Sequence, residues 1–450
     1  MSELKRILSI EIIKLFGCLD HFIPLHENEH ITIIHGPNGV GKTTILRLLV
    51  ALFDKKFNLL VNTNFQSLKI VFTDNSKLTI TPVERKNREP NTALEIVFSD
   101  PASKTRKQIV KSGVAEETRH IFPLAIISDI IPDLERISPN EWLDRSTRDV
   151  LSLDEVLARY EDLLPSGFGP KNKVETWLSD ILKSVKIHFI ETQRLLLARP
   201  RGNFTARKSE NTQLMRPAVE QYSEEMAEGI RDVLRASGTL AASLDRTFPN
   251  RLLKGSIPEG VKEDDIRNKY REQSEYRKRL MDAGLLEMEE PVDLPSSNLD
   301  SAELRVLWYY LRDVDEKLEI YNELLERVEL FKRIIDDKMF LYKAINVNKE
   351  QGFSFIGQDG SPIPLTALSS GEQHEIVLTY ELLFRATKNS LILIDEPELS
   401  LHVTWKHKFL DDMERISQLA DLDFLVATHS AAIVRRRTSL MVPLEGNNND

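Results

Sequence analysis

Apolar and polar residues alternate along Leu8-Ser-Ile-Glu-Ile-Ile13, the period of a strand with one buried face. Phe16-Gly17 turns the chain, and Ile31-Thr-Ile-Ile34 is a short β-branched run that predicts a second strand. From Thr44 to Phe53 nearly every position is apolar, which predicts a buried helix. Alternation returns in Leu68-Lys-Ile-Val-Phe72 and Leu94-Glu-Ile-Val-Phe98, separated by charged turns, and predicts an antiparallel flank.

Between residues 201 and 345 the period changes. Leu304, Leu307, Leu311, Val314, Leu318, Tyr321, Leu325 and Val328 recur at alternating three and four spacing, the seam of a coiled coil. Asp300 and Glu303 predict an N-terminal cap, and one helix from there to Ile345 would run about 65 Å at 1.5 Å per residue. Val219, Tyr222, Met226 and Val233 form a shorter stripe to pair with it, whereas Pro249, Pro258, Gly260, Pro291 and Pro295 are expected to break the segment. The expected plan is an N-terminal lobe over 1–200, a helical insertion over 201–345 and a C-terminal lobe over 346–450.

Composition narrows the class. At 450 residues and 41% hydrophobic, the chain is long enough for two or three modules. Its one cysteine, Cys18, excludes an internal disulfide framework and fits a reducing compartment. No apolar run reaches spanning length and the N-terminus lacks the apolar core of a signal peptide, so a soluble cytoplasmic protein with no membrane partner is expected. A net charge of −10 argues against a generally basic nucleic-acid coat and leaves room for local basic patches.

The candidate chemistry starts at Gly36-Pro-Asn-Gly-Val-Gly-Lys-Thr43, which has a predicted strand before it and a predicted helix after it. Gly36, Gly39 and Gly41 let backbone N–H groups turn inward around phosphates, with Asn38 and Thr44 beside them. Lys42 is expected to reach the β- and γ-phosphates of ATP, and the Thr43 hydroxyl to hold Mg²⁺. Asp395 ends the apolar strand Leu391-Ile-Leu-Ile-Asp395 and is expected to serve magnesium directly or through water; Glu396 is placed to polarise the attacking water. In isolation the acid pair reads equally as an ordinary strand end, but the phosphate loop upstream disfavours that. His429 follows the predicted strand Phe424-Leu-Val-Ala427 and is either a γ-phosphate sensor or a structural histidine. Ser369, Ser370 and Gly371 open a predicted helix, Gln373 to Phe384. Their hydroxyls, amides and helix terminus make a second phosphate cradle, or a plain capping box of Ser369 with Glu372.

Ile190-Glu-Thr-Gln-Arg194, Leu368-Ser-Ser-Gly-Glu-Gln-His374, Ile394-Asp-Glu-Pro-Glu-Leu-Ser-Leu-His402 and Ala427-Thr-His-Ser430, in that order around a helical insert, resemble the ABC-type ATPases related to the SMC, Rad50 and OLD proteins. That resemblance implies an α/β head of P-loop type with an antiparallel flank, interrupted by the helical insertion. It implies ATP hydrolysis with Mg²⁺ at an interface where Ser369, Ser370 and Gly371 of one copy complete the site of another. Gln193 would couple magnesium and γ-phosphate to the arm, and Ser400-Leu-His402 would speak across the dimer, with His402 where transporter cassettes usually have aspartate. The short arm and the C-terminal end are similar to the ATPases of bacterial anti-phage systems, those of PARIS first and of Septu next. By that likeness the protein is expected to form an ATP-sandwich dimer or higher homo-oligomer, hold a separate toprim-type nuclease, and release it on meeting a phage-encoded trigger protein.

The rival expectation is a DNA-repair or DNA-tethering ATPase gripping DNA across dimerised heads, which needs a basic groove. Arg85, Lys86, Arg88, Lys104, Arg106 and Lys107 are its candidates. The charged stretch from Tyr270 to Lys278 reads as a solvated helix face or a DNA-binding tip, and Arg435-Arg-Arg437 as solvated surface or a docking patch. A self-contained nuclease is disfavoured, since no metal-binding cluster is apparent outside the ATP site and few residues follow His429.

Overall fold

The computed structural model describes residues 4–83, 93–102, 104–111, 131, 134–138, 141–144, 150–152, 156, 174–190, 195–198, 215–255, 261–288, 290, 292, 294–296, 298–338, 342–399, 403–434 and 437–444. They divide into two compact units, one from Met1–Thr192, Ala386–Leu399 and Lys406–Asp450, the other from Gln193–Arg385 and Ser400–Trp405. The architecture is mixed α/β with a helical insertion.

In the first unit the apolar β-branched runs build a five-stranded parallel sheet, ordered Lys186–Ile190, Ser390–Asp395, Asp423–Thr428, Ile31–His35 and Met441–Pro443. Its central strands are buried on both faces, which is why they read as continuous apolar runs rather than alternating ones. Register sets Asp395 beside Ala427 and Thr428 beside His35, so the carboxyl ends of three strands share one edge. A second, antiparallel sheet is ordered Leu19–Pro24, Ile7–Leu15, Ser67–Phe72, Lys77–Pro82, Ala93–Ser99 and Thr105–Lys111. Strands Ser67–Phe72 and Lys77–Pro82 bury every second residue, as the alternation predicts.

Helix Lys42–Phe53 belongs to the core that joins both sheets: Ile45, Leu46, Leu48, Leu49 and Leu52 are fully buried with Ile10, Ile12, Ile70 and Ile80 of one sheet and Leu393 and Leu425 of the other. Five side chains of 2–3 kcal/mol each, by the usual transfer value, put on the order of 10 kcal/mol of burial into this helix. The helix that follows the glycine loop is thereby anchored by packing over most of its surface, with Arg47 left exposed.

In the second unit the arm begins with helix Ala218–Lys254, followed by Glu263–Asp282, Ser301–Glu319 and Asn322–Asp337. Two expectations are corrected here. The seam is not one helix to Ile345: it breaks at Ile320–Tyr321, the second helix ends at Asp337 with Lys338 as its cap, and Lys343–Asn348 is a strand paired with Gly352–Gly357. The cause is a change of partners. Helix Ser301–Glu319 packs on the two preceding helices, whereas Asn322–Asp337 packs on helix Ser370–Tyr380 and on strand Lys343–Asn348. The apolar period continues through the break because Tyr321, Leu325 and Val328 are still buried, only against other elements. Second, Pro249 does not break its helix. It removes one N–H near the C-terminal end, while the Thr247 side chain bonds the Ser243 carbonyl one turn earlier, the Arg251 side chain bonds the Leu244 carbonyl two turns earlier, and Arg251 clamps buried Asp313 on the neighbouring helix. Asp300 and Glu303 do form the reciprocal cap. Pro258, Gly260 and Pro291 lie outside the described residues. No helix among the described residues is long and apolar enough to cross a membrane.

Candidate functional site

The loop from Gly36 leaves the end of strand Ile31–His35 and enters helix Lys42–Phe53. Gly39 and Gly41 adopt φ of 89° and 91°, a left-handed backbone that glycine takes without strain. Gly36 has a different reason to be glycine: a Cβ there would lie 2.5 Å from the Leu444 carbonyl oxygen. Close approach of the strand Met441–Pro443 and its following residue holds the start of the loop.

Lys42 is 5% exposed and donates to the Gly36 carbonyl at 2.9 Å and the Pro37 carbonyl at 3.2 Å, while also touching the His429 ring. Burial lowers its pKa, against the pull of Glu396, Asp395 and Glu398. The Thr43 hydroxyl lies 3.0 Å from each Asp395 oxygen, a contact between residues 352 positions apart. Burial raises the Asp395 carboxyl, although Thr43, Arg47 and Lys42 favour its charge.

Glu396 follows the strand in a left-handed conformation, φ 45°, and its N–H donates to the Ala427 carbonyl at 2.9 Å. A non-glycine residue at such a φ marks a backbone held by its surroundings. The turn brings the carboxylate 3.1 Å from His429 Nε2. The Glu396 carboxyl is pushed up to about 7, by burial first, then by its bond with and repulsion from Glu398, and by Asp395, against Lys42. His429 is held below its ordinary value by burial and by Lys42.

Two residues at this site were not marked by sequence reasoning. Glu398, 8% exposed, accepts from the Thr428 hydroxyl at 2.6 Å and from the His429 N–H at 2.8 Å, and so fixes the backbone that carries the histidine. The second acid of Asp-Glu-Pro-Glu was its only signal. Phe16, half-exposed at φ 55°, stands over the loop; a Cβ on Gly41 would come within 3.2 Å of its ring. The Phe16-Gly17 turn was legible, its destination was not.

Together Phe16, Asn38, Gly39, Gly41, Lys42, Thr43, Thr44, Glu396 and His429 line a cavity of about 220 Å³. Its makeup fits a magnesium nucleotide. The loop offers a turned backbone and a helix N-terminus to phosphate, and a hydroxyl with one carboxylate is the oxygen set by which magnesium is held alongside phosphates. Gln193, Ser400, Leu401 and His402 lie outside the described residues, as do Arg85, Lys86, Arg88, Arg435 and Arg436. Lys104 and Arg106 are exposed, and Lys107 is paired with Glu95 at 2.6 Å.

The second unit carries the other predicted element. Helix Ser370–Tyr380 is capped by exposed Ser369, whose hydroxyl accepts from the Glu372 N–H while the Glu372 carboxylate accepts from the Ser369 N–H at 2.8 Å. The capping box is thus formed. Burial pushes the Glu372 carboxyl up, but Lys343 and Ser369 outweigh it and leave the group below the usual carboxylate range. His374 bonds the Ser370 carbonyl at 2.7 Å, and Ser370 stays exposed beside half-buried Gly371.

Strand, glycine loop, buried helix and an acid at the end of a parallel strand one place removed in the same sheet define a P-loop ATPase head. Residues 7–231 match the family model described as AAA ATPase domain, half of the chain, and the protein belongs to that family. Residues 257–435 match a second model, described as AAA domain, putative AbiEii toxin, Type IV TA system. Among curated proteins the chain is similar to UvrABC system protein A of Oceanobacillus iheyensis, 31% identical over 127 residues, 28% of this chain and 12% of that protein. It is also similar to UvrABC system protein A of Clostridium acetobutylicum, 26% identical over 145 residues, 32% and 14%. The matched stretches are therefore a small part of those relatives. Among solved structures it is similar to the Smc head domain with an extended coiled coil bound to the C-terminal domain of ScpA, from Pyrococcus furiosus, at 11% identity, 98% and 94% coverage and a TM-score of 0.36. The SMC head domain from Thermotoga maritima is similar at 11% identity, 95% and 91% coverage and a TM-score of 0.30.

Proposed function

We propose that this protein binds and hydrolyses ATP as the sensor and scaffold subunit of an anti-phage defence complex, holding a separate toprim-like nuclease and releasing it when a phage protein is met. The observation that carries the ATPase part is the contact of the Thr43 hydroxyl with Asp395 at the rim of the cavity that Lys42, Glu396 and His429 line. Support for defence is coarser: the description of the second family model, and a helical arm rising from the unit that bears the signature turn.

In this reading Thr43 and Asp395 would hold magnesium, Lys42 and the loop amides would hold the β- and γ-phosphates, and Gln193 would complete the metal side. Magnesium ATP, when bound, supplies the phosphoryl group and the charge that steadies it. Glu396 accepts the proton of the attacking water, and its raised pKa leaves it divided between acid and base near neutrality. His429 orients that carboxylate from 3.1 Å and would sense the terminal phosphate. Exposed Ser369 and Ser370 and half-buried Gly371, at a helix N-terminus, close the site of a second copy.

The test is phage challenge of cells carrying the operon, paired with ATP turnover of the purified protein. Lys42→Ala and Glu396→Gln are each expected to abolish protection and hydrolysis; protection left intact in both would refute an ATP-driven switch. A second reading, an SMC- or Rad50-like DNA-repair ATPase, draws on the exposed Lys104 and Arg106 and requires ATP-dependent duplex binding that falls steeply with salt.

A further inference from the structure

The signature helix is tied to the base of the arm by two lysines. Helix Asn322–Asp337 ends at Lys338, whose ammonium lies 3.2 Å from Glu375 on helix Ser370–Tyr380, with side chains 1% and 4% exposed. Five residues on, Lys343 donates to both oxygens of Glu372, at 2.6 and 2.8 Å. Glu372 and Glu375 lie three apart, on one face of the helix. Glu372 also holds the Ser369 N–H at 2.8 Å and the Ser369 hydroxyl at 2.9 Å. A third element meets the same point: Trp405, in the short helix Val403–Lys406 after Ser400–His402, donates its indole N–H to the Lys338 carbonyl at 2.8 Å.

Stability does not account for this arrangement. A buried ion pair is often no better than apolar side chains of the same volume, and this one leaves Glu375 Oε2 without a hydrogen-bond partner among the described residues. What a buried pair does supply is a unique register: Glu375 cannot slide along the arm helix without stranding a charge.

We propose that Lys338 is a positioning residue that holds the signature turn and the segment after Ser400–His402 in register with the base of the arm, so that displacing the arm withdraws both from the nucleotide of a second copy. The proposal rests on the two-copy reading given above. Lys338 touches no nucleotide itself. It converts movement of helix Asn322–Asp337 into movement of Ser369, with Lys343 and Glu372 as the second link. A signal received anywhere along the arm thereby reaches the ATP site of the partner copy through side chains of this unit alone.

The experiment uses the full chain with magnesium and the slowly hydrolysed analogue ATPγS. Self-association is read by sedimentation, nucleotide affinity by a fluorescent ATP analogue at concentrations below association, and folding by thermal midpoint. Lys338→Met with Glu375→Leu removes both charges and keeps an apolar fill. It is expected to retain its midpoint and nucleotide affinity while the dimer dissociation constant weakens by at least about tenfold, ~1.4 kcal/mol. Lys338→Arg, which keeps the charge, is expected to dimerise as the wild type does. Lys343→Met, at a half-exposed link, is expected to weaken dimerisation in the same direction and serves if the double variant does not fold. Wild-type dimerisation with unchanged dimerisation of the double variant, or of Lys343→Met where that stands in for it, overturns the proposal. Failure of the wild-type protein to associate on ATPγS overturns the two-copy reading instead, and this proposal with it.

Discussion

Glu398→Ala would test how the site holds its histidine. The glutamate accepts two short bonds, from the Thr428 hydroxyl at 2.6 Å and the His429 N–H at 2.8 Å, and Thr428 is fully buried. Bonds to a charged acceptor contribute about 1.5–3 kcal/mol each, so deleting the acceptor costs up to about 3–6 kcal/mol, reduced by the relief of repulsion with Glu396 and Asp395. Without its anchor the His429 backbone is free to shift, and a displacement near 1 Å lowers turnover on the order of a hundredfold. Glu398→Gln separates the two effects. The amide oxygen still accepts both bonds, so most stability is kept, whereas the charge that lifts Glu396 is gone and its carboxyl moves down toward the ordinary range. Urea unfolding and steady-state ATP hydrolysis of both variants, with Lys42→Ala as the blank, supply the measurement. An alanine variant as stable and as active as the wild type would refute the claim that Glu398 positions His429.

Two further outcomes follow from charges buried at the candidate site and in the arm. Because the folded state raises the Glu396 pKa above its ordinary 4.5, ionisation there opposes folding: the penalty is absent below that value, grows with pH, and is complete above about 7. Glu396→Gln should therefore gain thermal stability relative to wild type at pH 8 and show little difference at pH 4.5; an equal gain at both would contradict the shift. In the arm, Arg251→Met strands Asp313, whose side chain is 5% exposed, and should cost about 3–5 kcal/mol in denaturant unfolding, with Arg251→Met/Asp313→Leu recovering most of it.

Much of the site was legible because its parts are local. Strand, glycine loop and helix occupy one stretch of chain, and Asp300 with Glu303, or Ser369 with Glu372, lie within a single helical turn. The boundary near 345 was not legible in the same way. Lys343 to Asn348 alternates with a strand period, but the seam of three and four spacing upstream carried the helix through it. Tyr342, at φ 65°, makes the turn that periodicity does not register.

By itself the sequence determined the strands and helix around the glycine loop, the helix caps and the acids at the end of the strand Ser390–Asp395, since glycine φ, β-branched runs and capping residues act over a few positions. Only the tertiary structure decided which of those residues meet. The fold brings Asp395 to Thr43 across 352 positions, and parallel register sets Ala427 beside Asp395, contacts with no local trace in the sequence. It likewise chose the partners that divide the seam at Tyr321, kept Pro249 inside a helix, and drew Glu398 to His429 and Lys338 to Glu375. Those outcomes depend on burial against distant surfaces, where a charge or a proline is tolerated because a partner from elsewhere in the chain satisfies it.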